Sequence, residues 1–265
     1  MLHPAPTVVV GVDGSKAATN AACWAIDEAV SRDIPLRLVY VVEPSDSSGS
    51  QVHEGRLAAA RSALYDARRT IEATGKTVKI ETEILRGEPL TKLVEESRSA
   101  AMISVGSIGL NHAHHGVGSL SAALAVSALC PVTVIRRSGG QSAIPRVRRV
   151  VVQADSGAAL RHAFEEARLR QAPLRAISVS PAAGPDDPDG KRLAQAQLSR
   201  RIARWTRSYP DVQVESTVVR GSVDRYLATD HEPEQLFVTD AHACDDLCGA
   251  HNAGRSVLAV RSRNL

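Results

Sequence analysis

The chain predicts an α/β fold, written twice along its 265 residues. Apolar runs rich in Val and Ile alternate strictly with helix-like stretches, the pattern of βαβ units around a parallel sheet. After a polar, Gly-containing segment near the middle, the alternation restarts. The first apolar run of each half also delivers an aspartate into a turn, Asp13 in one and Asp155 in the other.

In the first half, the runs Val8–Val12, Leu36–Val42, Val78–Leu85, Met102–Val105 and Val132–Ile135 read as strands, each bounded by Gly, Pro or Asp. Helices fall between them. Lys16–Ser31 carries Ala21, Trp24, Ala25 and Glu28 at helical spacing. Glu54–Ala73 places Leu57, Leu64 and Ile71 on one side, Pro89–Ser99 carries Leu90, Leu93 and Val94, and Ser119–Ala128 ends at Cys130-Pro131. Arg136 to Ser142 has linker composition. The expected organisation is a domain over 1–137, a linker over 138–147 and a second domain over 148–265.

The second half echoes the first. Val150–Asp155 matches Val8–Asp13, Ala172–Val179 matches Ile34–Val41, and Val212–Arg220 with Gly221 matches Val78–Arg86 with Gly87. Leu236-Phe237-Val238 aligns by hydrophobicity with Ile103-Ser104-Val105, and Val257–Val260 with Val132–Ile135. A helix carrying Leu198, Ile202 and Trp205 presents Arg200, Arg201, Arg204 and Arg207, read as a solvated amphipathic face.

Composition narrows the function classes. With 32 basic and 29 acidic residues the formal charge is only +3, and aromatics are 3% of the chain, which argues against nucleic-acid binding. No apolar run approaches the roughly 20 residues needed to span a bilayer, and Met1–Thr7 has no signal-type pattern. A soluble, cytoplasmic protein is expected. Cys23, Cys130, Cys244 and Cys248 fit reduced thiols better than a disulfide framework.

The chemistry-bearing motif follows the fourth apolar run: Gly106-Ser107-Ile108-Gly109, eight residues, then Gly118-Ser119 before a helix near Leu120. Glycines let backbone N–H groups approach a ligand, and a helix N-terminus offers unpaired donors with partial positive charge. This reads as a phosphate cradle. Its counterpart at the other end of the domain is Val8-Val9-Val10-Gly11-Val12-Asp13-Gly14-Ser15, whose Asp13 also suits a turn or an N-cap.

Together the two elements resemble the adenine-nucleotide-binding branch of the universal stress protein family, and the tandem repeat extends the resemblance over nearly the whole chain. The spacer Leu110–Val117 is one residue shorter than the family pattern and holds His112, His114 and His115. The resemblance implies five-stranded sheets of order 3-2-1-4-5, of the adenine nucleotide alpha-hydrolase-like type. It implies ATP, AMP or another adenine nucleotide bound in the first domain, with Mg²⁺ a possible companion. The residues that carry over are Gly11, Val12, Asp13, Val41, Gly106, Ile108, Gly109, Gly118, Ser119 and Leu120. Asp13 belongs to the nucleoside side and the backbone near Val41 to the base. It further implies dimer contacts through the fifth strands, between the two copies or in a homodimer, and an unidentified regulatory partner. Among tandem members the chain resembles actinobacterial, especially mycobacterial, proteins associated with hypoxia and dormancy, which implies a role in stress adaptation.

The second copy keeps Asp155 but has Gln153 for Gly11 and reads Thr239-Asp240-Ala241-His242 where a Gly-x-x-Gly would stand, so no nucleotide is expected there. His242, Cys244, Cys248 and His251 form a short cluster that chance, zinc or a redox thiol pair would each explain. Gly75-Lys76-Thr77 lacks the upstream glycine of a Walker A loop, and no Ser-His-Asp or paired-carboxylate arrangement can be placed. An enzyme is therefore not expected. A nucleotide-free interaction scaffold and a slow ATP hydrolase remain as rivals.

Overall fold

The structure, a computed structural model, describes residues 5–44, 50–107, 120–136, 146–180, 188–230, 232, 234–241 and 255–261. The chain divides into two compact units, Met1–Pro145 and Arg146–Leu265.

The first unit is built from β1 (Val8–Gly11), α1 (Lys16–Arg32), β2 (Leu36–Val42), α2 (Ser50–Glu72), β3 (Ile80–Arg86), α3 (Pro89–Glu96), β4 (Met102–Gly106), α4 (Leu120–Ser127) and β5 (Val132–Ile135). Its strands pair in parallel in the order β3-β2-β1-β4-β5. The helices α1 and α2 pack together, as do α3 and α4. Both faces of the central strands are thus covered, which is why β1 and β4 are nearly continuous apolar runs: Val8, Val9, Val10, Met102 and Ile103 are all buried. Each such side chain contributes about 1.5–3 kcal/mol relative to exposure. The core is aliphatic with one large aromatic, Trp24 of α1.

The second unit runs β6 (Arg149–Gln153), α5 (Gly157–Arg170), β7 (Leu174–Ser180), α6 (Pro188–Ser208), β8 (Val214–Arg220), α7 (Val223–Thr229), β9 (Gln235–Asp240) and β10 (Ser256–Val260). Its parallel order is β8-β7-β6-β9-β10, the first unit's arrangement repeated.

The repeat extends to details of strain and burial. Both α1 and α5 end on a non-glycine residue in the left-handed region, Asp33 (φ 51°) and Gln171 (φ 52°), whose N–H groups cap the last turn. Each helix buries a glutamate paired with the arginine four residues on, Glu28 with Arg32 at 2.6 Å and Glu166 with Arg170 at 3.4 Å. Gly87 and Gly221, with φ 145° and 95°, make the same turn out of β3 and β8.

Several expectations shift: β1 ends at Gly11 rather than Val12, and β3 and β8 open at Ile80 and Val214 rather than Val78 and Val212. Helix α2 begins at Ser50 rather than Glu54, and Gly55 in its first turns sits on an open face. Helix α3 stops at Glu96 rather than Ser99: buried Ser97 turns its Oγ onto the Val94 carbonyl and accepts the Leu129 N–H at 2.9 Å. The echo of β4 in β9 moves by one residue. Val8 pairs with Met102 and Val150 with Leu236, so Leu236 corresponds to Met102 and Asp240 to Gly106. A short apolar run buried on both faces does not fix its own register.

Candidate functional site

At the C-terminal end of β1 the chain makes a tight, well-anchored turn. The β1–β2 ladder ends with Gly11 opposite Val39, followed by the bond from Val12 N–H to the Val39 carbonyl at 2.8 Å. Asp13 Oδ1 then accepts the Ser15 N–H at 2.9 Å, and Gly14 takes φ 86°. Ser15, not Asp13, is the N-cap of α1: its Oγ accepts the Ala18 N–H at 3.1 Å. Asp13 therefore shapes the turn while remaining half-buried at the sheet edge.

Both neighbours of β1 run past it. Val41 lies two positions beyond Val39 on β2, and Gly106 two positions beyond Ser104, the last β1 partner on β4. Strand order reverses at β1, and a doubly wound sheet places ligands beyond the strand C-termini at such a switch point. Gly11, Val12, Asp13, Val41 and Gly106 are thus gathered at one edge. Leu120 is the first residue of α4 and is exposed. Ile108, Gly109, Gly118 and Ser119 lie outside the described residues, as do His112, His114 and His115.

The two described glycines of the site each have a packing reason. A Cβ on Gly106 would stand 2.6 Å from the backbone carbonyl carbon of Ala17 and 2.7 Å from the Ala18 nitrogen, so the first turn of α1 rests directly on β4. On Gly11 it would meet the Val105 side chain at 3.2 Å and Leu93 of α3 at 3.5 Å.

Two residues not singled out from the sequence belong to this edge. Half-buried Tyr40 precedes Val41 on β2; burial first, and then the charge of Asp13, push its phenol above the usual tyrosine range. Lys16 is the exposed first residue of α1, where a cation opposes the helix dipole. The signals that could have pointed to them are a tyrosine one residue before Val41 and a lysine directly after Asp-Gly-Ser, but neither shows its place without the end of β1 and the start of α1.

The equivalent edge of the second unit is filled by its own side chains. Gln153, in the place of Gly11, donates to Asp155 at 2.5 Å, and Arg201 of α6 donates to Asp155 Oδ1 at 3.1 Å and to the Ala154 carbonyl at 3.3 Å. Asp240 occupies the register of Gly106. The cluster His242, Cys244, Cys248 and His251 lies outside the described residues. Among the described residues no group of three or more His, Cys, Asp or Glu is placed to hold a metal ion. Cys23 and Cys130 are buried, and burial pushes the Cys130 thiol up to about 12.

Known proteins share this architecture throughout. Universal stress protein Rv3134c of Mycobacterium tuberculosis is 58% identical over 265 residues, covering 99% of this chain and 98% of the relative. The chain belongs to the universal stress protein family. The family model, described as Universal stress protein family, matches residues 5–136. A second M. tuberculosis member, Rv2028c, is 43% identical with 99% of each chain covered. A universal stress protein from Archaeoglobus fulgidus matches in structure with TM-score 0.71 over 97% of each chain at 14% identity, a likeness of fold. As a universal stress protein the chain has no described helix long and apolar enough to cross a membrane.

Proposed function

We propose that this universal stress protein binds an adenine nucleotide, ATP, in its first unit and none in its second. The observation that carries this is the convergence of Asp13, Val41 and Gly106 at the reversal point of one sheet, set against the filled edge of the other. Asp13 accepts the Ser15 N–H, and a carboxylate has about four acceptor positions, so it can also take an amine or hydroxyl of the nucleoside. Val41 overhangs β1, leaving its backbone at a level where a base edge fits. The phosphates would lie toward Gly106, Ile108, Gly109, Gly118 and Ser119. In the second unit Asp155 is engaged by Gln153 and Arg201, and Asp240 would set a carboxylate against polyphosphate.

The bound nucleotide, on this reading, changes a surface that partners recognise, in adaptation to stress such as hypoxia. Calorimetric titration of the intact chain with ATP tests it. Binding that is lost in both Asp13→Ala and Gly118→Ala supports the reading. No heat with wild-type protein, across magnesium-free and magnesium-containing buffers, would favour a nucleotide-free scaffold.

A further inference from the structure

Strand β2 is a buried strand with one polar interruption at its C-terminal end. Leu36, Leu38, Val39 and Val42 are buried, whereas Tyr40 and Val41 are half-buried at the edge where β1 has already ended. A tyrosine in such a place buries its ring and keeps its hydroxyl where a polar partner can reach it. The register brings Asp13 to the same place: Gly11 pairs with Val39 and the Val12 N–H bonds the Val39 carbonyl at 2.8 Å, so Asp13 and Tyr40 stand on adjacent strand ends, and burial first and then the Asp13 charge disfavour the phenolate and keep the phenol a neutral donor. Among the described residues no hydrogen bond takes the Tyr40 hydroxyl, while Asp13 Oδ1 is tied to Ser15. The edge therefore carries, on adjacent strand ends, a phenol O–H, which can donate and accept, and a carboxylate, which only accepts.

We propose that Tyr40 is a specificity residue of the nucleotide site, forming with Asp13 a donor–acceptor pair that reads the sugar and selects ribose over 2′-deoxyribose. The proposal rests on the nucleotide reading above. The two adjacent hydroxyls of a ribose each donate and accept, so the 3′-hydroxyl can donate to the carboxylate while the 2′-hydroxyl takes the phenol hydrogen. A deoxyribose leaves one member of the pair without its partner in a half-buried site, and sites built to bond a hydroxyl reject analogues that lack it. In the second unit the position corresponding to Tyr40 is Ser178, too short to carry a hydroxyl as far as a tyrosine does, and Asp155 is already engaged.

The test compares ATP with 2′-deoxy-ATP on the intact chain, wild type and Tyr40→Phe, by calorimetry. Phenylalanine keeps the ring and its packing and removes only the hydroxyl. Wild-type protein is expected to prefer ATP by about tenfold. Tyr40→Phe is expected to bring the two nucleotides within about twofold of each other, by weakening ATP and leaving 2′-deoxy-ATP unchanged. An equal preference in wild type and variant would overturn the role of Tyr40 while leaving the nucleotide site standing. Failure of wild-type protein to bind either nucleotide would overturn the underlying reading as well.

Discussion

Gly106 touches Ala17 backbone to backbone: a methyl group on the glycine would sit 2.6 Å from the Ala17 carbonyl carbon. The end of β4 and the start of α1 are held against each other by this contact, and with them the two halves of the candidate site. The glycine that reads in sequence as room for a phosphate is thus required by the fold itself.

Gly106→Ala must therefore push α1 off the sheet. Overpacking of this kind costs about 1–3 kcal/mol, and the clash is with backbone, which cannot rotate away. Chemical denaturation should show the loss without any ligand present. Gly11→Ala, whose neighbours are the side chains of Val105 and Leu93, should cost less.

Lys16 stands at the positive end of α1 with no acidic residue in the first turn. Lys16→Glu should stabilise the fold by about 0.3–1 kcal/mol through the helix dipole. The same change should weaken ATP by about tenfold through charge, and more at low salt than at high. A thermal melt and a titration at two ionic strengths read the two effects, which must carry opposite signs.

Tyr40 titrates above the usual tyrosine range, through burial and then the charge of Asp13. Asp13→Asn removes the second cause only. The Tyr40 titration, assigned by difference from Tyr40→Phe, should fall in Asp13→Asn yet stay above its ordinary value. An unchanged titration would separate the two groups.

The second unit carries a polar network at the N-terminal edge of its sheet. Arg255, 6% exposed, donates to Gln235 Oε1 at 2.8 Å and to the Leu227 carbonyl at 2.5 Å, and Gln235 donates to Asp230 at 3.1 Å. Arg255→Met should cost on the order of 3 kcal/mol by leaving these acceptors without their donor. Arg201→Ala, which breaks a pair half-exposed on both sides, should cost at most about 1 kcal/mol. Burial opposes ionisation of Asp230, but Gln235, the Glu232 N–H and the charges of Arg175 and Arg255 outweigh it and hold its carboxyl below the usual range. Its stabilising contribution is complete above the unfolded value near ~4 and is lost as pH falls through the lower folded value. Acid unfolding of wild-type protein should show this dependence, and Asp230→Asn should flatten it.

The fold was legible because parallel strands buried on both faces leave unbroken Val and Ile runs, and because Asp13 and Asp155 mark the same turn twice. What hydrophobicity could not give was the alignment of Leu236 with Met102, since the apolar runs of the two strands are short and their polar residues, Ser104 in one and Gln235, Thr239 and Asp240 in the other, fall at different places. Of the candidate site, Asp13 and Gly106 follow from strand ends and turns, and the structure has both at one edge of the sheet; Val41 came only with the family resemblance. Tyr40 and Lys16 were not legible, because their place depends on where β1 stops relative to β2 and on which residue opens α1. Arg201 reaches Asp155 from 46 positions along the chain, a closure that only tertiary structure reveals.

The most direct measurement is the number of adenine nucleotides bound per intact chain, from mass spectrometry of nucleotide released by denaturation and from ATP titration of nucleotide-free protein. The account predicts about one per chain, abolished in Asp13→Ala and unaffected by Arg201→Ala. Two per chain, or one that survives Asp13→Ala, would contradict it.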